Sequence, residues 1–67
     1  MDIILNNNKE HFKGERMTVR ELLAAKNFTF RMLVVKINDK LIPKDDYDHA
    51  VITDGDRVMV LHLISGG

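Results

Sequence analysis

Residues 58 to 67 of this 67-residue chain read V-M-V-L-H-L-I-S-G-G. The first seven positions, 58–64, suit a β-strand because β-branched and long apolar side chains pack well on a pleated surface. An apolar run that supplies both faces predicts a central strand. The strand leads into a tail, residues 65–67, whose Gly-Gly pair lacks Cβ atoms and predicts a flexible, narrow end. We expect the rest of the chain to support that tail, although a frayed terminus is the plainer alternative.

Length and composition exclude several classes of protein. Sixty-seven residues predict a single domain, 1–67, that buries only about 60% of its unfolded surface. So short a chain cannot enclose a large cleft, which argues against an independent enzyme active site. There is no cysteine, which excludes disulfides, thiolate zinc sites and a cysteine nucleophile.

Charge and hydropathy limit the partners and the cellular location that the sequence predicts. Ten basic and ten acidic residues cancel, and no block of like charge is present to follow a phosphate backbone, so no nucleic-acid partner is expected. No apolar run approaches the ~20 residues of a membrane-spanning helix. The first residues lack the basic flank and apolar stretch of a signal peptide. The sequence therefore predicts a soluble, cytoplasmic protein with no membrane partner.

The first part of the chain predicts a hairpin followed by a helix. Strands at Asp2–Leu5 and Lys9–Lys13 flank an asparagine turn, with Phe12 the inward residue of the second strand. Gly14-Glu15-Arg16 breaks the pattern. Thr18 and Glu21 then form the T-x-x-E capping box of a helix start. Val19, Leu22 and Leu23 form the apolar face of this helix. Asn27 is its expected C-terminal stop.

The second half predicts three more strands. Met32–Asn38 has strand composition and turns through Asn38-Asp39-Lys40 into Leu41-Ile42, a short edge strand because Pro43 cannot donate to a ladder. Residues 44–48 are polar and predict a turn or one-turn helix with Tyr47 folded back as a cover. Asp54-Gly55-Asp56 predicts the turn into the final strand.

The order strand, strand, helix, strand, short strand, strand predicts an α+β domain. The arrangement that fits it is a β-grasp roll, a mixed sheet of four to five strands with the helix packed on one face. The final strand is expected in the centre beside the first. The predicted core comprises Ile3, Leu5, Val19, Leu22, Leu23, Val35, Ile37, Val58 and Val60.

Strand alternation also predicts an exposed face beside the tail. If Val58 and Val60 face the helix, their neighbours must face the opposite way. A domain of this size has no second layer to cover that side, so an apolar patch should mark an interaction site. Alternation places Ile4, Val34, Lys36, Met59, Leu61 and Leu63 on this outer face. The expected docking residues are Ile4, Val34, Met59, Leu61 and Leu63, together with Ile64 next to the tail.

Several motifs in this order resemble the ubiquitin-like ThiS/MoaD family, and in particular the ThiS sulfur carriers of thiamine biosynthesis. They are Thr18-Val19-x-x-Leu22-Leu23, Ile37-Asn38, Ile42-Pro43-Lys44 with Tyr47 three further on, Asp54-Gly55-Asp56 and Ile64-Ser65-Gly66-Gly67. The resemblance covers the whole chain. The chain departs from the family pattern at Lys44, often arginine, at Tyr47, often tryptophan, and at Lys36, often a small residue.

The resemblance implies a carrier and not an enzyme. In such proteins an E1-like, ThiF-like adenylyltransferase uses ATP to adenylate the terminal carboxylate, here that of Gly67 beside Gly66. Sulfur from a persulfide enzyme then replaces AMP, and the resulting thiocarboxylate supplies a ThiG-like thiazole synthase. No bound cofactor and no metal are implied for the carrier itself.

Three other functions share parts of this pattern. A sulfur carrier for molybdopterin synthase uses the same terminal chemistry but usually reaches Gly-Gly through a proline-bearing segment, which is missing here. A ubiquitin-like protein modifier would end in an isopeptide bond to lysine. A β-grasp interaction module would not use its tail.

Catalysis and metal binding have weaker support in the sequence. The histidines His11, His49 and His62 lack the spacing of a metal site or catalytic triad. The aspartates at positions 45, 46, 48, 54 and 56 lack the closing bidentate glutamate of a calcium loop. We therefore expect them to serve turns and solubility.

Overall fold

The computed structural model describes residues 1–29 and 32–62. In chain order its elements are β1 (Asp2–Leu5), β2 (Asn8–His11), β3 (Arg16–Thr18), α1 (Val19–Ala25), β4 (Leu33–Ile37), β5 (Lys40–Ile42), a 3-10 helix (Lys44–Asp46), β6 (Val51–Thr53) and β7 (Arg57–His62). The strand expected at Lys9–Lys13 begins one residue earlier and ends at His11. The continuation of the last strand through Leu63 and Ile64 lies outside the described residues.

Five strands form one mixed sheet in the order β2-β1-β7-β4-β5. β1 and β7 are parallel, whereas the other neighbouring pairs are antiparallel. The last strand is thus central and lies beside the first, as predicted. β5 lies at an edge and is followed by Pro43, also as predicted. The α+β class with one helix on a mixed sheet is confirmed.

A second, two-stranded sheet pairs β3 with β6. The sequence did not predict it, because Gly14-Glu15-Arg16 was interpreted as a break and residues 51–53 were not assigned. Each strand has only three residues, which is too short to show a period. The pairing nevertheless buries Ile52 completely.

The core lies between α1 and the inner face of the large sheet. Eight of the nine predicted core residues are buried, and Tyr47 and Ile52 join them. Ile37 is the exception: it packs against the core but is only half-buried. Its partner on the edge strand is Lys40, whose long polar side chain does not close the core there. Tyr47 is 5% exposed and covers the core as expected.

The backbone N–H groups in the first turn of a helix have no partners within the helix. In α1 they are satisfied by a capping box and by two carbonyls of another segment. Thr18 Oγ1 accepts from Glu21 N–H at 3.1 Å and Glu21 Oε1 accepts from Thr18 N–H at 2.8 Å, so the predicted capping box is confirmed. The N–H groups of Val19 and Arg20 donate to the carbonyls of Ala50 and Tyr47. These last two bonds hold the helix start against the segment that leads into β6.

The end of α1 is a Schellman motif. Asn27 N–H donates to the Ala24 carbonyl and Phe28 N–H donates to the Leu23 carbonyl, at 3.1 and 2.8 Å. Asn27 has a φ of 57°, the left-handed conformation that this motif requires and that asparagine tolerates better than most residues. The predicted stop at Asn27 is therefore confirmed, and Phe28 packs against the core beyond it.

Two hairpin turns set the register of the edge strands. Asn6 and Asn7 have φ of 50° and 68°, and Asn38 and Asp39 have φ of 50° and 69°. Two consecutive left-handed residues between paired strand ends make a type I′ turn, whose twist matches that of the strands. Both turns fall where the sequence predicts them.

Candidate functional site

The candidate site is the outer face of the five-stranded sheet, the face opposite α1. Along β7 the side chains alternate: Val58 and Val60 are 0% and 7% exposed, whereas Met59 is half-buried and Leu61 is 42% exposed. Since Val58 and Val60 belong to the core with α1, Met59 and Leu61 project from the outer face. The predicted alternation is confirmed for this strand.

The neighbouring strands contribute to the same face. Val34 lies directly opposite Leu61 and Lys36 directly opposite Met59 across the β4–β7 ladder. On β1, Ile4 is half-buried between the inward residues Ile3 and Leu5. Ile4, Val34, Met59 and Leu61 therefore share the outer face, as expected. Leu63, Ile64 and the Gly66-Gly67 pair lie outside the described residues, so their placement stays a prediction.

One further apolar residue of this face was missed. Leu41 on β5 pairs with Lys36 and is 58% exposed. The signal was present in the sequence, because a two-residue turn at Asn38-Asp39 fixes Ile37 opposite Lys40 and hence Lys36 opposite Leu41. We call the set Ile4, Val34, Leu41, Met59 and Leu61 the apolar patch.

The outer face also carries more positive than negative charge. Lys9 pairs with Ile4 across the β1–β2 ladder, and Arg57 is in register with Ile4 on its other side. With Lys36, the face has three exposed cations. Lys9 and Arg57 were not among the predicted docking residues, although alternation along β7 places Arg57 on the face of Met59 and the Asn6-Asn7 turn places Lys9 opposite Ile4.

In the described strands of this sheet, the one outward carboxylate is that of Asp2, and it already has a partner. Asp2 pairs with His11 across the β1–β2 ladder, and the His11 Nδ1 lies 2.6 Å from Asp2 Oδ1. This hydrogen bond lowers the pKa of the Asp2 carboxyl below its usual value. Asp2 is therefore ionised at neutral pH, and His11 is its partner.

The start of β7 is anchored by the Asp54-Gly55-Asp56 turn. Asp56 Oδ1 accepts from the Asn38 side-chain amide at 3.0 Å, and its Oδ2 accepts from Thr53 N–H at 2.9 Å. Asp54 Oδ1 accepts from the backbone N–H of Asp2 at 2.6 Å. Gly55 has a φ of 87°, which favours glycine. Asp54 and Asp56, two of the five aspartates considered for a calcium loop, are thus hydrogen-bond acceptors at this turn.

Further bonds keep β7 in register along its length. Asn38 accepts from Arg57 N–H through its side chain and donates its own N–H to the Arg57 carbonyl, at 2.9 and 2.7 Å. The Asn6 side-chain oxygen accepts from Val60 N–H at 2.8 Å. A slip by one residue would exchange the two faces of the strand, so these bonds decide which residues form the apolar patch.

The other sequence candidates do not form a second site. His11 lies on β2, His49 follows the 3-10 helix and His62 ends β7. Within residues 1–29 and 32–62, no group of three or more histidine, aspartate or glutamate side chains is placed to hold a metal ion. The same ranges contain no helix with the length and apolar character needed to cross a membrane.

Comparisons with known proteins match this chain over nearly its full length. The model of the ThiS family matches residues 3–67. The sulfur carrier protein ThiS of Bacillus subtilis (strain 168) is 27% identical over 63 residues, which cover 94% of this chain and 96% of that protein. A thiazole synthase of Paramagnetospirillum magneticum is 30% identical over 67 residues. The present chain spans only 20% of the length of that synthase.

Solved structures agree with the sequence comparisons. The crystal structure of the thiamine biosynthesis protein (ThiS) from Geobacter metallireducens superposes with a TM-score of 0.89 at 28% identity, covering 100% of both chains. The NMR structure from the same organism has a TM-score of 0.79 and is covered to 88%.

Fold and site together define a small ubiquitin-like β-grasp protein with an open apolar sheet face. The chain belongs to the ThiS family, the sulfur carriers of thiamine biosynthesis. The resemblance drawn from its motifs is confirmed.

Proposed function

We propose that this chain carries sulfur for thiazole formation as a thiocarboxylate on Gly67. The observation that supports this most is the family match, which extends through residue 67. In the sequence, Gly66 and Gly67 follow His62, the last residue of the central strand β7, by four and five residues. The apolar patch, which includes Met59 and Leu61 of the same strand, is available to dock the enzymes that act on the tail.

The chemistry begins with activation of a poor electrophile. The negative charge of a carboxylate repels nucleophiles, so a ThiF-like, E1-like adenylyltransferase first joins the Gly67 carboxylate to AMP and releases pyrophosphate from ATP. A persulfide on a sulfur-donating enzyme then attacks the activated carbonyl and displaces AMP. A second thiol cleaves the resulting S–S bond, which leaves the thiocarboxylate on Gly67.

In this proposal the chain acts as a co-substrate and not as a catalyst. Glycine at positions 66 and 67 has no Cβ to obstruct entry into a narrow channel or attack at the terminal carbon. The docking residues are Ile4, Val34, Met59 and Leu61 on the described face, continued by Leu63 and Ile64 toward the tail. Exposed apolar patches of this kind mark interaction sites on small proteins.

We further propose a ThiG-like thiazole synthase as the acceptor of the sulfur. A segment similar to this whole chain occupies about a fifth of the Paramagnetospirillum magneticum protein that is named thiazole synthase. A carrier that shares one polypeptide with an enzyme is held at a high effective concentration near it. That arrangement supports a functional pairing of carrier and synthase.

The intact mass of the protein tests the proposal. The chain is incubated with the adenylyltransferase of its own organism, ATP and a persulfide donor. We expect pyrophosphate release and a mass change equal to the replacement of one oxygen by sulfur. Deletion of Gly67, or extension by one bulky residue, should abolish both.

Two outcomes would contradict the mechanism. If the extended chain is still activated, the chemistry does not occur at the Gly67 carboxylate. If higher-mass conjugates appear in place of a thiocarboxylate, the chain is a protein modifier.

A further inference from the structure

Lys36 lies in the middle of the apolar patch. Its directly paired neighbours on the outer face are Met59 on β7 and Leu41 on β5. Val34, two residues earlier on the same strand, is also apolar and pairs with Leu61. Lys36 itself is exposed, so it places a single ammonium group among side chains expected to be covered by a partner.

Among the residues that the structure describes, Lys36 forms no ion pair. Within residues 1–29 and 32–62, the ion pairs join His11 to Asp2, Arg20 to Asp48 and Lys26 to Glu10. Arg57, two residues before Met59 on β7, lies on the same face as Lys36 and has the same sign of charge. The ammonium of Lys36 therefore depends on water in the unbound protein.

Docking of a partner on the apolar patch would remove the water around the Lys36 ammonium. A surface that covers Met59 and Leu41 must also cover Lys36, and an ammonium removed from water without a partner is strongly disfavoured. Escape to the sheet edge would lay the lysine stem across Leu41 and keep the partner away from that side chain. The contact is therefore favourable only if the partner supplies a negative group at this point.

We propose that the adenylyltransferase surface that docks the apolar patch carries a carboxylate that pairs with Lys36, and that this pair selects the cognate partner. The inference rests on the docking role proposed above and adds the chemistry of the opposing surface: apolar, with an aspartate or glutamate facing Lys36. Arg57 and Lys9, on the same face, add attraction of the same sign during approach.

The test compares three variants in pyrophosphate release with the adenylyltransferase of the same organism. Lys36→Glu should raise KM by about tenfold or more with kcat unchanged, because like charges then face each other in the interface. Lys40→Glu is the matched control: it makes the same change of charge one strand away, on the opposite face. Its KM should stay close to that of the wild type.

Lys36→Met gives the sign of the effect. This substitution keeps the length of the stem and removes the charge. If a carboxylate faces position 36, the variant leaves it unpaired and KM rises. If no carboxylate is present, removal of the ammonium relieves a desolvation cost and KM falls, which overturns the proposal.

Two further measurements separate this inference from the proposed function. Reversal of the partner's facing carboxylate to lysine should restore a low KM to Lys36→Glu, which a purely structural role would not allow. Equal effects of Lys36→Glu and Lys40→Glu would contradict a local pair. If the wild-type chain shows neither adenylation nor calorimetric binding to the enzyme, the proposed function itself fails and this inference with it.

Discussion

Val34 lies directly opposite Leu61 across the antiparallel β4–β7 ladder, and the next pair of the ladder joins Val35 to Val60. The first pair projects from the outer face and the second is buried in the core. A step of one residue along β7 therefore separates the proposed docking surface from the residues that hold the fold together.

The two faces of β7 can be tested with one pair of substitutions. Leu61→Glu should leave the fold intact, because the side chain is 42% exposed, but should weaken adenylation strongly by placing a charge in the apolar patch. Val60→Glu should instead cost roughly 3 kcal/mol or more, because it buries an unpaired carboxylate. Circular dichroism melts and the pyrophosphate assay measure both variants. A folded Leu61→Glu variant with normal activation would show that the patch is not the docking surface.

The capping box predicts a cost for loss of its hydroxyl. Thr18→Ala removes the acceptor for the Glu21 N–H and should lower the free energy of unfolding by about 1 kcal/mol. Thr18→Ser keeps the acceptor and serves as the control. Urea denaturation measures both, and an unchanged midpoint for Thr18→Ala would mean that the cap does not contribute to stability.

Asn27, the left-handed residue at the end of α1, predicts different outcomes for substitution by alanine and by glycine. Asn27→Ala should destabilise the protein by about 1 kcal/mol, because alanine lacks the short polar side chain that lets asparagine tolerate a φ of 57°. Asn27→Gly should be neutral or slightly stabilising, because glycine is the preferred residue at this position. In thermal melts, the Tm of Asn27→Gly should therefore be higher than that of Asn27→Ala. The reverse order would contradict the role assigned to this residue.

Tyr47 predicts a loss of stability at alkaline pH. Burial raises the pKa of its hydroxyl above the usual value, although the nearby Arg20 guanidinium acts in the opposite direction. The unfolded chain then loses this proton at lower pH than the folded protein does. The stabilisation is complete below about pH 10 and is lost as the pH rises through the raised pKa. Tyr47→Phe should show a shallower alkaline decline in denaturation midpoint, and an identical decline would contradict this assignment.

Features that depend on nearby residues were predictable from the sequence. The capping box joins residues three apart, and the Asn6-Asn7 and Asn38-Asp39 turns are properties of adjacent residues with a tolerance for left-handed backbone. The run from Val58 identified the central strand by composition, and alternation assigned Met59 and Leu61 to the outer face. In these cases the physical cause lies within a few residues of its effect.

Other features were visible only in the tertiary structure, because they depend on contacts between residues far apart in the chain. In the pairing of β3 with β6, Met17 lies opposite Ile52. Each strand has only three residues, too few for a sequence pattern that would predict its partner. The carbonyls of Tyr47 and Ala50 complete the start of α1 from a segment more than twenty residues away in sequence.

The candidate site shows the same division. Alternation along single strands identified the apolar face, but the position of Lys36 between Met59 and Leu41 required the register of three strands. That register is set by the Asn38–Arg57 hydrogen bonds and by the two-residue turn at Asn38-Asp39. The sequence by itself determined the strands of the five-stranded sheet and which way their side chains alternate. Only the folded sheet decided which side chains become neighbours, because cross-strand contacts depend on pairing between distant segments.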